Sequence, residues 1–176
     1  MKVLPDSQAA GAPSTRRPYP ALETNLRLLD QAVALLKQLS QRQFIESYPP
    51  AEGTIGAHLR HVIEFYQCFI KQWSAGEVRY DKRPRSQEVE RDRASALAAV
   101  RDIQRDLLLV PQNLELRIAH FDGDHSSSDT TRELSYLADH ATHHYALIQL
   151  VAKLGDLRLE DSFGYAPSTL ANKAKN

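Results

Sequence analysis

The segment Asp139–Tyr145, with the sequence DHATHHY, lies in the middle of a strong helical pattern and carries three of the protein's seven histidines. His140 and His144 are four residues apart, so a helix places them on one face, one turn above the other. Two imidazoles at this spacing can bind one metal ion. A second pair, His58 and His61, lies in an earlier apolar helix. A metal site forms if the fold brings the two pairs together.

Four amphipathic helices are predicted from apolar residues that recur every three or four positions. Their approximate ranges are 21–45, 54–73, 86–109 and 130–154. The sequence also contains the signals that begin and end helices. Ser86 is a candidate N-cap, Thr130 and Glu133 form a candidate capping box, Pro49-Pro50 ends the first helix, and Gly155 ends the last.

The connection before the last helix has a different pattern. Residues 114–120 alternate between apolar and polar side chains, which is typical of a short strand or an extended arm. Residues 125–128 could form a weak partner strand. Residues 77–85 are too charged to contribute a core element. We therefore expect an all-α four-helix bundle with a long, short-stranded connection before its last helix.

The predicted domain organisation has three parts. Residues 1–20 are a loose leader rich in Pro, residues 21–155 are the bundle, and residues 156–176 are a tail that packs on it. The irregular apolar segment 163–169 of this tail could close over a pocket.

Composition narrows the class of function. The chain has 176 residues, 42% of them hydrophobic and 25% charged, with a formal net charge of zero, so nothing favours nucleic acid or an anionic membrane as partner. No apolar run approaches the roughly 20 residues of a membrane span. The opening segment 1–6 lacks the apolar run of a signal peptide. Cys68 is the single cysteine, which excludes a disulfide within the chain and a cysteine-based metal site. These features predict a cytoplasmic protein.

The position of His140 and His144 favours metal binding, because both occupy the stripe that Leu137, Ile148 and Val151 assign to the core. A buried imidazole without a polar partner costs about 1–3 kcal/mol, and a metal ion would satisfy both rings. A third ligand from a facing helix would give a three-His site with open coordination positions, as in catalytic metal sites.

The alternative is a set of hydrogen-bonded core histidines without metal. The spacing of His140 and His144 is only moderately specific, and position 141 is Ala where the zinc protease motif has Glu. Periodicity leaves open whether His58 or His61 would be the third ligand.

The segment Thr54–Val62, with the sequence TIGAHLRHV, and the later HATHH segment together resemble the DinB/YfiT-like superfamily. The resemblance covers roughly residues 21–155. It implies a four-helix bundle with a three-His metal site, one ligand from the second helix and two from the last. In that family the ligand from the second helix is the histidine of an aliphatic-x-His sequence, which here is Leu59-Arg60-His61. The resemblance therefore implies His61, His140 and His144 as ligands.

Other residues are candidate neighbours of the site. His58 and His143 are expected to lie beside the ligands. Glu64, one turn after His61, could orient an imidazole or act as a base, although a solvated surface position is favoured. Tyr145 is a candidate pocket donor, with a core position as the alternative.

The resemblance implies metal-dependent chemistry, since characterised members include thiol-dependent transferases and isomerases and some hydrolases. We expect a divalent ion, with Zn or Ni ahead of Fe, and a small-molecule substrate such as a low-molecular-weight thiol or its electrophilic partner. A homodimer is also expected. The alternative is a non-catalytic metal- or ligand-binding bundle, associated with stress. A structural dimer with packed histidines is the third hypothesis.

Overall fold

A computed structural model describes residues 18–165. Its helices within this range are α1 (Pro20–Gln38), α2 (Gln41–Ile45), α3 (Ile55–Gln72), α4 (Gln87–Arg91), α5 (Arg93–Leu107) and α6 (Thr130–Leu154). The four long helices α1, α3, α5 and α6 form the bundle. Both α1 and α3 pack against α5 and α6, and the short α4 packs on α3 and α5. The predicted four-helix bundle is confirmed.

Two of the predicted helices are each divided in two. The first ends at Gln38, and Ser40 then begins α2 through a capping box with Gln43. The third begins after Ser86, as predicted, but it breaks at Asp92, whose side chain accepts the backbone N–H of Ser95 and caps α5. Ser and Asp break a helical pattern because their side chains offer the backbone a local hydrogen bond in place of the helical one.

A three-stranded sheet covers one end of the bundle. Its strands are β1 (Glu77–Val78), β2 (Glu115–Ala119) and β3 (His125–Asp129), in the order β1-β2-β3. β2 and β3 form the antiparallel hairpin that the alternating pattern predicts, while β1 runs parallel to β2. The prediction that residues 77–85 are too charged for a core element is wrong, because Val78 of β1 is fully buried and belongs to the hydrophobic core.

The predicted capping box of the last helix is also wrong. Asp129, rather than Thr130, caps α6. The Thr130 hydroxyl is turned into the loop before β2, where it donates to a backbone carbonyl. The Glu133 carboxylate accepts hydrogen bonds from the hydroxyls of Tyr80 and Ser128. Tertiary partners therefore take both side chains away from the helix end.

A buried polar contact joins three helices inside the core. Tyr66 of α3 donates its hydroxyl proton to Oδ1 of Asn25 in α1 at 2.6 Å, and Asn25 Nδ2 donates to the carbonyl of Leu134 in α6 at 2.8 Å. All polar atoms of these two side chains have partners, so their burial leaves no donor or acceptor unsatisfied.

The start of the predicted tail packs on the bundle. Phe163 is buried, and its ring stacks on Tyr145 with ring centres 4.9 Å apart. Residues 166–169 of the predicted pocket cover, and residues 1–17 of the predicted leader, lie outside the described range. No helix between residues 18 and 165 combines the length and the apolar composition needed to cross a bilayer.

Candidate metal centre

The packing of α3 against α6 brings the two histidine clusters together. Thr54 caps α3 by accepting the backbone N–H of Ala57, which sets the helix start and places His61 almost two turns later. Across the interface, His140 and His144 project from successive turns of α6. One candidate ligand atom from each of the three rings lies within 4.8 Å of the other two.

The three rings form a triangle. The ring centres of His61 and His140 are 5.0 Å apart, those of His61 and His144 are 4.6 Å apart, and those of His140 and His144 are 4.8 Å apart. Each ring is partly buried. The structure thus selects His61 over His58 as the α3 member of the triangle, where periodicity leaves both open.

The electrostatics of the cluster favour neutral imidazoles. Burial, with the neighbouring histidines as the next cause, lowers the pKa of His140 to about 4 and that of His144 to about 3. Burial also lowers the pKa of His61, and the positive charge of Arg83 lowers it further. A neutral imidazole keeps the lone pair that a metal needs, so all three rings are ready to coordinate near neutral pH.

The cluster also contains a polar atom that suits a cation. Nδ1 of His140 is buried without a hydrogen-bond partner within the described part of the chain. A buried polar atom without a partner normally costs free energy, and such atoms are rare in folded proteins. Three nitrogen donors from neutral imidazoles also match the ligands of Zn, Ni and Fe sites. The residues present therefore fit a divalent metal ion.

His58 contacts the triangle from outside and determines which ring nitrogen of His144 carries the proton. Its Nε2 lies 3.1 Å from the carbonyl oxygen of Glu52, and its Nδ1 lies 3.3 Å from Nδ1 of His144. Because a carbonyl only accepts, we assign the His58 proton to Nε2, which leaves its Nδ1 to accept from His144 Nδ1–H. His144 then keeps its lone pair on Nε2, the nitrogen left for a metal.

Glu64 is buried, so the favoured expectation of a solvated surface position is wrong. Its side chain is 2% exposed and accepts hydrogen bonds from Arg60 Nη1 and from the backbone N–H of Ser86. Arg83 lies next to it, and Nη2 of Arg83 is 3.3 Å from Nδ1 of His61. Glu64 therefore reaches the site through Arg83.

Aromatic rings form a wall beside the triangle. Phe65 contacts His140, with ring centres 4.1 Å apart, and Tyr136 lies nearly parallel to His140 at 6.0 Å. Tyr80 stacks on Phe65 at 5.3 Å. Tyr80 and Tyr136 also line a separate cavity of about 380 Å³, next to Arg132 and below the hairpin. The aromatic wall thus contacts the histidine triangle and also borders a space large enough for a small molecule.

Comparison with known proteins shows the fold. No protein-family model matches the chain. YfiT from Bacillus subtilis, described as a probable metal-dependent hydrolase with an unusual four-helix bundle topology, superposes with a TM-score of 0.58. The alignment covers 86% of this chain and 97% of YfiT at 14% sequence identity. The chain has the YfiT-like bundle fold. The DinB/YfiT-like resemblance is therefore confirmed at the level of fold.

A curated relative matches in sequence. FK506-binding protein 5 from Rhizopus delemar is 34% identical over 166 residues, which cover 88% of this chain. The chain spans only 38% of the length of that relative. The activity that its name denotes is therefore a property of that protein.

The other two predicted neighbours differ in their relation to the triangle. His143 is exposed, with its ring edge-on to His144 at 5.2 Å between ring centres. Tyr145 faces the core, where its hydroxyl donates to the carbonyl of Leu28 at 2.9 Å. The structure thus places His58 and Glu64 around the site, leaves His143 on its rim, and gives Tyr145 a packing position.

Sequence reasoning missed Arg83 as a neighbour of the site. It belongs to the connection 77–85, whose charge suggested a solvated loop. The guanidinium carbon instead lies 4.4 Å from the centre of the Phe65 ring, and the side chain is 16% exposed. The charge pattern gave no signal for this position, because Arg83 looks the same in sequence as the exposed Arg85 two residues later.

Proposed function

We propose that the protein binds one divalent metal ion through His61, His140 and His144 and uses it to hydrolyse a small molecule. The convergence of three neutral imidazoles from two helices, with ligand atoms within 4.8 Å of one another, carries this proposal. YfiT, which shares the fold, is described as a probable metal-dependent hydrolase. Zn or Ni is the proposed ion, with Fe next, since imidazole donors suit all three.

The residues around the triangle support this chemistry. When bound, a divalent ion such as zinc lowers the pKa of a coordinated water to about 7 and so supplies a nucleophile at neutral pH. His58 holds the tautomer of His144, while Phe65 and Tyr136 pack beside the His140 ring. A site with three protein ligands leaves coordination positions for water or substrate.

Two other functions use the same site. The DinB/YfiT-like resemblance favours thiol-dependent transfer, in which a small thiol would take the place of water. A non-catalytic binding protein is favoured by a specific observation: the buried carboxylate of Glu64 is occupied by Arg60 and Ser86. It is therefore not free to accept a proton as a general base.

Elemental analysis of the protein purified without a histidine tag tests the metal site. We expect one metal ion per chain, and a loss of roughly 100-fold or more in zinc affinity when His61, His140 or His144 is changed to Ala. The matched control is His143→Ala, which removes an exposed imidazole from the same helix and should keep the metal. The metal site would be contradicted if the purified wild-type protein contained no metal. It would also be contradicted if a variant with Ala at all three positions still bound the metal.

A substrate screen separates the three functions. Small esters and amides, and small thiols paired with electrophiles, are tested with metal-loaded, metal-stripped and His144→Ala protein. Metal-dependent cleavage supports a hydrolase, and metal-dependent consumption of thiol supports a transferase. Binding without turnover by the metal-loaded protein supports the binding function. The homodimer and the cytoplasmic location stay predictions, and sedimentation at several concentrations tests the former.

A further inference from the structure

The positive charge of Arg83 is only weakly balanced by carboxylates. Its closest ion-pair partner within the described residues is Glu64, at 3.8 Å from Nε. Glu64 already accepts hydrogen bonds from Arg60 at 2.9 and 3.0 Å and from the Ser86 backbone at 2.8 Å. Arg60, by contrast, also has Glu90 at 2.7 Å. Two arginines therefore share Glu64, and Arg60 takes the larger part of it.

Three contacts hold the Arg83 guanidinium against the histidine triangle. Nη1 donates to the carbonyl of Tyr80 at 3.0 Å, Nη2 donates to Nδ1 of His61 at 3.3 Å, and Cζ lies over the ring of Phe65. Since the side chain is held from three directions, its position next to His61 is fixed by packing rather than by chance contact of a mobile surface arginine.

The hydrogen bond between Arg83 and His61 has to break before His61 can bind a metal ion. A guanidinium can only donate, so Nδ1 of His61 must use its lone pair to accept, and the proton of the neutral ring is then on Nε2. Coordination through Nδ1 would use the same lone pair. Coordination through Nε2 would move the proton to Nδ1, where it would face another donor. In both cases Arg83 loses its acceptor when His61 becomes a ligand.

We infer that Arg83 is an anion-binding residue beside the three-His centre, which becomes free when His61 coordinates the metal and then binds a carboxylate or phosphate of the substrate. The inference rests on the proposed function and names its substrate class. A guanidinium pairs strongly with both of these oxyanions. The anion would restore the hydrogen bond that Arg83 loses to the metal, and it would balance a charge that Glu64 only partly offsets.

Calorimetric titration of the zinc-loaded protein with acetate and with inorganic phosphate tests this inference. We expect zinc-loaded wild-type protein to bind at least one of the two anions, and metal-free protein to bind it about tenfold more weakly or not at all. The acetate and phosphate arms distinguish a carboxylate-bearing substrate from a phosphorylated one. Binding of neither anion by the zinc-loaded protein would overturn the inference.

The variant Arg83→Met removes the guanidinium, and Arg85→Met removes an equal charge from an exposed position of the same connection. Arg83→Met should lower the anion affinity of the zinc-loaded protein by about tenfold or more. It should also raise zinc affinity severalfold, because zinc no longer competes with a hydrogen bond or faces a neighbouring cation. Arg85→Met should change neither affinity. A purely structural role of Arg83 would not lower the anion affinity and raise the zinc affinity at the same time.

Unchanged anion affinity in zinc-loaded Arg83→Met would overturn the inference and leave the metal site standing, whereas wild-type protein that binds no zinc would overturn the proposed function itself. Glu64 keeps Arg60 and Ser86 as partners in the Met variant, which favours folding. Should that variant fail to fold, Arg83→Lys keeps a cation near Glu64 but lacks the planar fork. The Arg83→Lys protein should bind the anion about tenfold more weakly than the wild-type protein. Equal anion affinities of the two proteins would overturn the inference.

Discussion

His58 links the metal centre to the backbone of the loop before α3. Its ring contacts the Glu52 carbonyl through Nε2 and Nδ1 of His144 through Nδ1. The backbone contact thereby orients the ring that holds His144. Removing a group that orients a metal-binding histidine typically lowers metal affinity roughly 10–100-fold. We therefore expect His58→Ala to lower zinc affinity by this amount, measured by competition with a chelator. His143→Ala is the control, and equal affinities in the two variants would contradict the orienting role.

The histidine triangle should also make stability depend on pH in the metal-free protein. The pKa of His140 is about 4 and that of His144 about 3, both because of burial first. A histidine in the unfolded chain has a pKa of about 6.5. As pH falls from about 6.5 towards 4, the unfolded chain takes up protons that the folded chain does not, so stability decreases.

Urea unfolding of metal-free protein at about pH 7, 6 and 5 measures this dependence. The free energy of unfolding should fall at each step towards acid. A double variant with Ala at His140 and His144 should lose less stability over the same interval. An identical slope in wild type and double variant would show that other groups cause the dependence.

At the scale of elements, Asp92 decides where α5 begins. Its side chain accepts the Ser95 backbone N–H at 2.7 Å. Loss of an N-cap typically costs about 1 kcal/mol. We expect Asp92→Ala to lower the free energy of unfolding in urea by about that amount. Asp102→Ala, at an exposed ion pair in the same helix, should change it by less than about 0.5 kcal/mol. Similar losses in both variants would argue against the cap.

The close approach of α3 to its neighbours depends on Gly56. A Cβ atom at this position would lie 2.2 Å from the backbone oxygen of Glu90 and 3.0 Å from the ring of Phe44. Although Ala is the better helix former by about 1 kcal/mol, a clash with backbone forces α3 and α4 apart.

We expect Gly56→Ala to lower the free energy of unfolding by about 1–3 kcal/mol, again in urea. Lys71→Ala, at an exposed position of the same helix, should have little effect. A stabilised Gly56→Ala protein would show that α4 can shift at no cost.

At the scale of the whole molecule, the proposed metal would connect α3 to α6. An ion that binds only the folded state stabilises it by about 2.7 kcal/mol at a free concentration 100 times its Kd. Thermal unfolding with and without zinc should therefore show a higher Tm for the wild-type protein. His144→Ala should show no rise at the same zinc concentration, and an equal rise in both would place the zinc elsewhere.

Local structure follows from the order of the amino acids alone. The three-to-four spacing of apolar residues predicts the long helices, the alternation in 114–120 predicts β2, and Ser86 marks a helix start. The spacing of His140 and His144 likewise predicts that both lie on one face. These features depend on residues a few positions apart, whose relative placement follows from the geometry of the helix or strand.

The contacts between distant segments depend on the packing of the folded chain. Only the packing of α3 on α6 places His61 in the triangle and His58 beside it, and only the fold of the connection 77–85 brings Arg83 to His61. Burial of Glu64 likewise depends on Arg60 and on the loop before α4. A charged residue has the same local pattern whether it faces water or an ion-pair partner, so its environment is set by chain segments far away in sequence.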